Sequence, residues 1–129
     1  MKIHHVGYLV KKTEKAIRAF EALGYRRTRD TVLDEYRQAD ICFLEKDGYV
    51  VELVSPVSGE SVVADLIKRL GNTPYHICYE TDRMEEDLAR LREQHYVMCS
   101  ELHEAVALDG RKVCFLIHPY LGMIELLEA

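Results

Sequence analysis

Two histidines and two glutamates stand at matching places in this 129-residue chain: His5 and Glu52, then His76 and Glu125. Each glutamate interrupts an apolar run, "YVVELV" and "GMIELLE". Glutamate is depleted in strands, and a buried carboxylate needs a partner. The separations within the two pairs are 52 − 5 = 47 and 125 − 76 = 49 residues. Two imidazoles and two carboxylates are a donor set for a divalent transition ion such as Ni, Co, Mn, Fe or Zn. Four protein ligands around an octahedral ion leave two positions for substrate oxygens or water. Singly, a strand His is more often a hydrogen-bonded structural residue, and a strand Glu more often faces solvent. Their joint recurrence favours the ligand reading.

The recurrence extends to the flanking segments. "HVGYLVKKTEKAIRAFEALGY" (5–25) aligns with "HICYETDRMEEDLARLREQHY" (76–96) at an offset of 71, with His, Tyr, Glu and Tyr coinciding. "ICFL" (41–44) aligns with "VCFL" (113–116) at 72, and "VEL" (51–53) with "IEL" (124–126) at 73. Four landmarks in one order define two copies of one unit, with single insertions in loops.

Each copy reads as β-α-β-β-β. "KIHHVGYLV" has strand alternation. "TEKAIRAFEALGY" puts Ala16, Ile17, Phe20 and Leu23 on one helical stripe, with Thr13 as N-cap and Gly24 as stop. A strand is expected around "YRRTRDTVL", and "DICFLEKDGYVVELV" reads as a hairpin turning at "KDG". In the second copy "YHICYE" opens, Met84, Leu88 and Leu91 mark the helix, and "YVMCSEL", "KVCFLI" and "GMIELLE" complete the strands. The expected organisation is a single domain, 1–129, of two modules (about 1–56 and 74–129). A helix over about 60–71 joins them, carrying Val62, Val63, Leu66, Ile67 and Leu70.

Other residues carry less. Glu35 and Asp40 lie where the middle strands of the first copy begin, and either could reach a central cleft. His4 alternates away from His5, and in the second copy Tyr75, not a ligand, stands at its place. His95, His103 and His118 read as surface residues. Cys42, Cys78, Cys99 and Cys114 form no C-x-x-C pair, and those in strands read as reduced core residues. Net charge is −5 with signs interspersed, which argues against nucleic-acid and anionic-membrane surfaces. No membrane-length apolar run or signal peptide is visible, so a cytoplasmic protein is expected.

The motifs "HHVGYLV", "VELVSP", "PYHICYE" and "GMIELLE", in this order, resemble the vicinal oxygen chelate superfamily over essentially the whole chain. The resemblance implies an α+β fold in which two tandem βαβββ modules form a curved mixed sheet around a metal cleft, the glyoxalase-like fold. It also implies one divalent metal ion (Ni, Co, Mn or Zn) on His5, Glu52, His76 and Glu125, a small-molecule substrate and a homodimer. Bacterial glyoxalase I (lactoylglutathione lyase) uses a His, Glu, His, Glu set, which these four positions match. The implied function is that of a lyase or isomerase. It would transfer a proton next to a carbonyl of a thiol-derived substrate through a metal-bound enediolate, with Glu125 or Glu52 as base. Methylmalonyl-CoA epimerase is similar in its linker, "SPVSGESVVADLIKRLGNTPYHICYE", and implies racemisation of an acyl-CoA instead. Its second ligand can be Gln where Glu52 stands. A third implication is a non-catalytic antibiotic-binding protein of the same fold. An iron dioxygenase needs only two His and one carboxylate, so the second Glu argues against it.

Overall fold

The computed structural model describes all residues, 1–129. The chain has three α-helices and ten strands, in the order β1(Lys2–Leu9), α1(Thr13–Ala22), β2(Arg26–Arg27), β3(Val32–Asp34), β4(Ala39–Lys46), β5(Tyr49–Pro56), α2(Ala64–Leu70), β6(Thr73–Thr81), α3(Met84–Glu93), β7(Val97–Met98), β8(His103–Ala105), β9(Arg111–His118) and β10(Gly122–Glu128). It is a mixed α+β fold, as expected. By contacts the chain divides into a first unit, His5–Tyr75, and a second, His76–Ala129 together with Met1–His4.

In the first unit β5 lies between β4, antiparallel, and β1, parallel. β2 and β3 both pair antiparallel with β4. The single strand expected around "YRRTRDTVL" is therefore two short strands. Residues 28–31, Thr-Arg-Asp-Thr, are polar or charged and leave the ladder, although the Thr28 N–H still donates to the Phe43 carbonyl at 3.1 Å. The hairpin turns at Asp47 (φ 53°) and Gly48 (φ 83°), the positive-φ pair that a two-residue loop requires. Tyr8, Val10, Cys42, Leu44, Val51 and Leu53 form one face of this sheet, and Ile17, Ala16 and Phe20 of α1 cover it. Leu23, expected on that stripe, is 66% exposed because α1 ends at Ala22. Thr13 is the first helical residue and Lys12 the cap, with no side-chain cap bond; Gly24 follows at φ 99°.

The second unit repeats the plan. β10 runs parallel to β6 and antiparallel to β9, with β7 and β8 on β9. The strand expected over "YVMCSEL" is broken between Met98 and His103. Met84, Leu88 and Leu91 of α3 pack on Cys114, Leu116, Ile124 and Leu126, as their spacing predicts.

The connecting helix α2 is shorter than the sequence suggests. It starts at Ala64, after turns through Ser61–Val63, and buries Ala64 and Ile67 while Val62 and Leu70 stay exposed. Cys42, Cys78 and Cys114 are buried free thiols and Cys99 an exposed one. No helix is long and apolar enough to cross a membrane.

Candidate metal centre

Register explains the opposition of each His to its Glu. In the first unit Glu52 stands opposite Gly7 on β1, two residues past His5, and opposite Phe43 on β4. In the second unit Glu125 stands opposite Cys78 on β6, two residues past His76, and opposite Phe115 on β9. Side chains two apart on a strand share a face. Each carboxylate therefore shares a face with its own histidine and with the phenylalanine of "ICFL" or "VCFL". The helix covers the other face in both units.

The first pair brings His5 Nε2 to 3.4 Å from Glu52 Oε1, and the second brings His76 Nε2 to 3.3 Å from Glu125 Oε1. All four residues are at most 4% exposed. Phe43 meets the His5 ring edge-on at 5.3 Å and 77°, and Phe115 meets His76 at 5.2 Å and 84°. These rings fix the imidazoles and keep water from one side of each.

Each pair has the donor chemistry and spacing of a metal half-site. Two ligands about 2.0–2.2 Å from one ion stand roughly 3.0–3.5 Å apart at octahedral or tetrahedral angles. Both observed separations fall there. Neutral imidazole and carboxylate also suit first-row divalent ions.

Sequence reasoning passed over Arg37. It lies in the turn between β3 and β4, is 3% exposed, and places Nη1 4.0 Å from Glu52 Oε1 and Nε 3.8 Å from Asp34 Oδ2. Its backbone is held on both sides. Its N–H donates to Asp34 Oδ1 at 3.0 Å, and its carbonyl accepts from the Ser61 hydroxyl at 2.8 Å. Glu35, in the same turn, is exposed. Asp40 pairs with Ser55 and Leu33, on the face of β4 opposite to Glu52, so neither joins the pair. His118 is half-buried, with Nε2 3.2 Å from the Gln94 carbonyl and its ring against Tyr96 at 4.5 Å; His103 is also half-buried, while His95 is exposed.

The family model of the Glyoxalase/Bleomycin resistance protein/Dioxygenase superfamily matches residues 4–115. The chain belongs to this superfamily. Among curated proteins it is 22% identical over 116 residues to the uncharacterized protein YqjC of Bacillus subtilis, covering 89% of this chain and 81% of that protein. Among solved structures it is similar to a hypothetical protein from Bacillus halodurans C-125, with TM-score 0.86 and 25% identity over 99% of this chain and 94% of that one. Methylmalonyl-CoA epimerase from Mycobacterium tuberculosis follows at TM-score 0.83 and 22% identity, covering 98% and 87%. The Streptomyces coelicolor epimerase in complex with 2-nitronate-propionyl-CoA gives 0.84 and 20%, covering 100% and 97%. At these identities the two epimerases share the superfamily fold with this chain.

Proposed function

We propose that this chain is a metal-dependent enzyme that moves a proton on a carbon next to a carbonyl. The observation that carries this reading is the buried His–Glu pair, built twice at one register. His5, Glu52, His76 and Glu125 are assigned as the ligands of one divalent ion, with Ni, Co, Mn and Zn all suited to two imidazoles and two carboxylates. Bound there, such an ion supplies Lewis acidity toward two neighbouring substrate oxygens.

The chain's own residues do the rest. His5 and His76 hold position against Phe43 and Phe115. Glu52 or Glu125 takes the proton from the substrate carbon on a carboxylate oxygen and delivers it again from there. Burial of both carboxylates keeps bulk water from competing for that proton.

Two substrate classes fit. The glyoxalase I type, acting on a hemithioacetal, is favoured by the match of all four ligand types. The epimerase type, acting on an acyl-CoA, is favoured by the likeness to epimerase structures over nearly the whole chain. Metal-loaded protein in deuterated water separates them. An epimerase exchanges the α-hydrogen of methylmalonyl-CoA with solvent. A glyoxalase converts the methylglyoxal hemithioacetal and leaves that thioester unlabelled. Neither reaction, with tight binding of an unaltered small molecule, would replace the enzyme reading by a sequestering protein.

A further inference from the structure

We infer that a groove between α1 and β1 binds an amphiphilic anion, a small molecule with one negative head on a hydrocarbon body. The site is separate from the His–Glu pairs and does not depend on the reaction proposed above.

The groove holds about 550 Å³, the size of a small-molecule site. Ala16, Ala19, Phe20 and Leu23 line it from α1, and Tyr8 and Val10 from β1. The four helix residues follow one another at i, i+3, i+4 and i+7, so they form one stripe. Phe20 meets Tyr8 edge-on at 5.1 Å and 89°, and both pack against the core of the unit. This lining is therefore fixed before anything binds. Leu23 belongs to the same stripe yet is 66% exposed, and Ala19 is exposed beside it. A hydrocarbon laid along the stripe removes both from water.

Lys11, Lys12 and Lys15 stand at the same groove. Three cations gather there in a chain whose net charge is −5. The acid in that turn, Glu14, is drawn away to Arg27 at 3.1 Å, and the three lysines form no ion pair. Asn72 Oδ1 accepts the Lys11 N–H at 2.7 Å, which fixes the amide and leaves its NH2 as a further donor. An anionic head gains from these groups while its hydrocarbon body covers the stripe. A neutral amphiphile gains only the second contribution, and a small inorganic anion only the first.

The second copy lacks both features. At the offset of 71, Asp82, Arg83 and Glu86 replace the three lysines, and Arg83 is neutralised by Glu86 at 3.4 Å. Asp87 and Arg90 replace the small Ala16 and Ala19, and Gln94 replaces Leu23. Duplication of the fold alone does not account for a basic, apolar groove beside one helix only.

The test titrates the full metal-loaded chain with 1-octanesulfonate, 1-octanol and methanesulfonate by isothermal titration calorimetry, below micellar concentrations. A sulfonate stays charged at any working pH and is a poor metal ligand, so the His–Glu pairs do not compete for it. Wild type is expected to bind one octanesulfonate at least tenfold tighter than either other probe. The margin over octanol should shrink at about 0.5 M salt, where surface charges are screened. The double variant Lys12→Gln/Lys15→Gln should keep its octanol affinity and lose most of that margin. It removes positive charge from a helix N-terminus, a change that favours folding. Ala19→Phe fills the groove from an exposed position and should weaken octanesulfonate and octanol alike, at least tenfold. Equal affinity for octanesulfonate and octanol in wild type, or octanesulfonate binding unchanged in these variants, would overturn the proposal. So would a chain that is dimeric in sedimentation, ignores octanesulfonate and becomes monomeric on Ala19→Phe, because a second copy would then cover the groove.

Discussion

The two His–Glu pairs differ less in their geometry than in what stands behind them. Separation, burial, strand register and the edge-on phenylalanine are nearly the same in both units. Behind Glu52, however, a buried guanidinium approaches from the β3–β4 turn. In the second unit the matching stretch runs through a 3₁₀ turn, Val106–Leu108, to exposed Asp109 and Gly110. The duplicated elements build the His–Glu pairs, and the unduplicated turn supplies the asymmetry.

The largest expected effect removes the common part. His5→Ala and His76→Ala should each lower metal affinity at least tenfold, since each deletes an imidazole that the proposal assigns as a ligand. Metal analysis of dialysed protein reads this directly. Unchanged metal content in both variants would mean that the pairs are structural ion pairs and that their likeness has no chemical purpose.

The next effect asks whether the pairs share the proton chemistry. Glu52→Gln and Glu125→Gln preserve shape and remove basicity. The variant that has lost the base should lose about 10²–10⁴-fold in kcat with little change in KM. A variant that loses only a ligand should instead recover part of its rate at high metal concentration. Two variants recovering alike would break the assignment of a glutamate base.

Much of this centre was legible in the sequence because its parts repeat. His5 with His76 and Glu52 with Glu125 can be found by offset alone, and apolar alternation types their strands. Arg37 has no counterpart at position 109, so the same comparison passes over it. Its backbone is held by Asp34 and Ser61, which only the folded turn brings to it. Asp40 misleads for a related reason. It interrupts an apolar run as Glu52 does, yet its cross-strand partner, Ser55, places it on the other face. The broken strands were illegible because β-formers lie on both sides of "TRDT" and "CSEL" and hide the loss of ladder bonds there. Leu23 fits the helical period but lies past the helix end.

A smaller effect concerns how each helix enters its unit. The Thr81 hydroxyl donates to Asp87 and accepts from the Arg83 N–H at 2.9 Å, and Arg90 reaches the same carboxylate at 3.0 Å. At an offset of 71, the first copy has Val10 and Ala16 at these places, so α1 starts without this network. The Thr81 hydroxyl, followed by Arg90, holds the Asp87 carboxyl below its ordinary value. A depressed folded-state pKa adds stability above the ordinary carboxylate value, lost as pH falls through the depressed one. Asp87→Asn should therefore lower the melting temperature at pH 7 by a few degrees and narrow its gap to wild type in acid. A pH-independent gap would show that Asp87 acts by packing alone.

The smallest effect compares the equivalent thiols of the two units. Burial raises both Cys42 and Cys114, and at Cys114 the Glu125 charge adds to burial, pushing the thiol to about 11. At Cys42 the next influences, the neighbouring Thr31 side chain and the charge of Arg27, oppose the rise. The thiolate is the reacting form, so at pH 8 Cys114 should be the slower of the two toward a small alkylating reagent. Exposed Cys99 should label before either. Loading a divalent ion on Glu125 offsets the negative charge that Cys114 senses, and should speed its labelling more than that of Cys42. Mass spectrometry of labelled peptides, with and without metal, measures all three rates. Metal-independent labelling of Cys114 would count against an ion on the Glu125 carboxylate, whatever its state at Glu52.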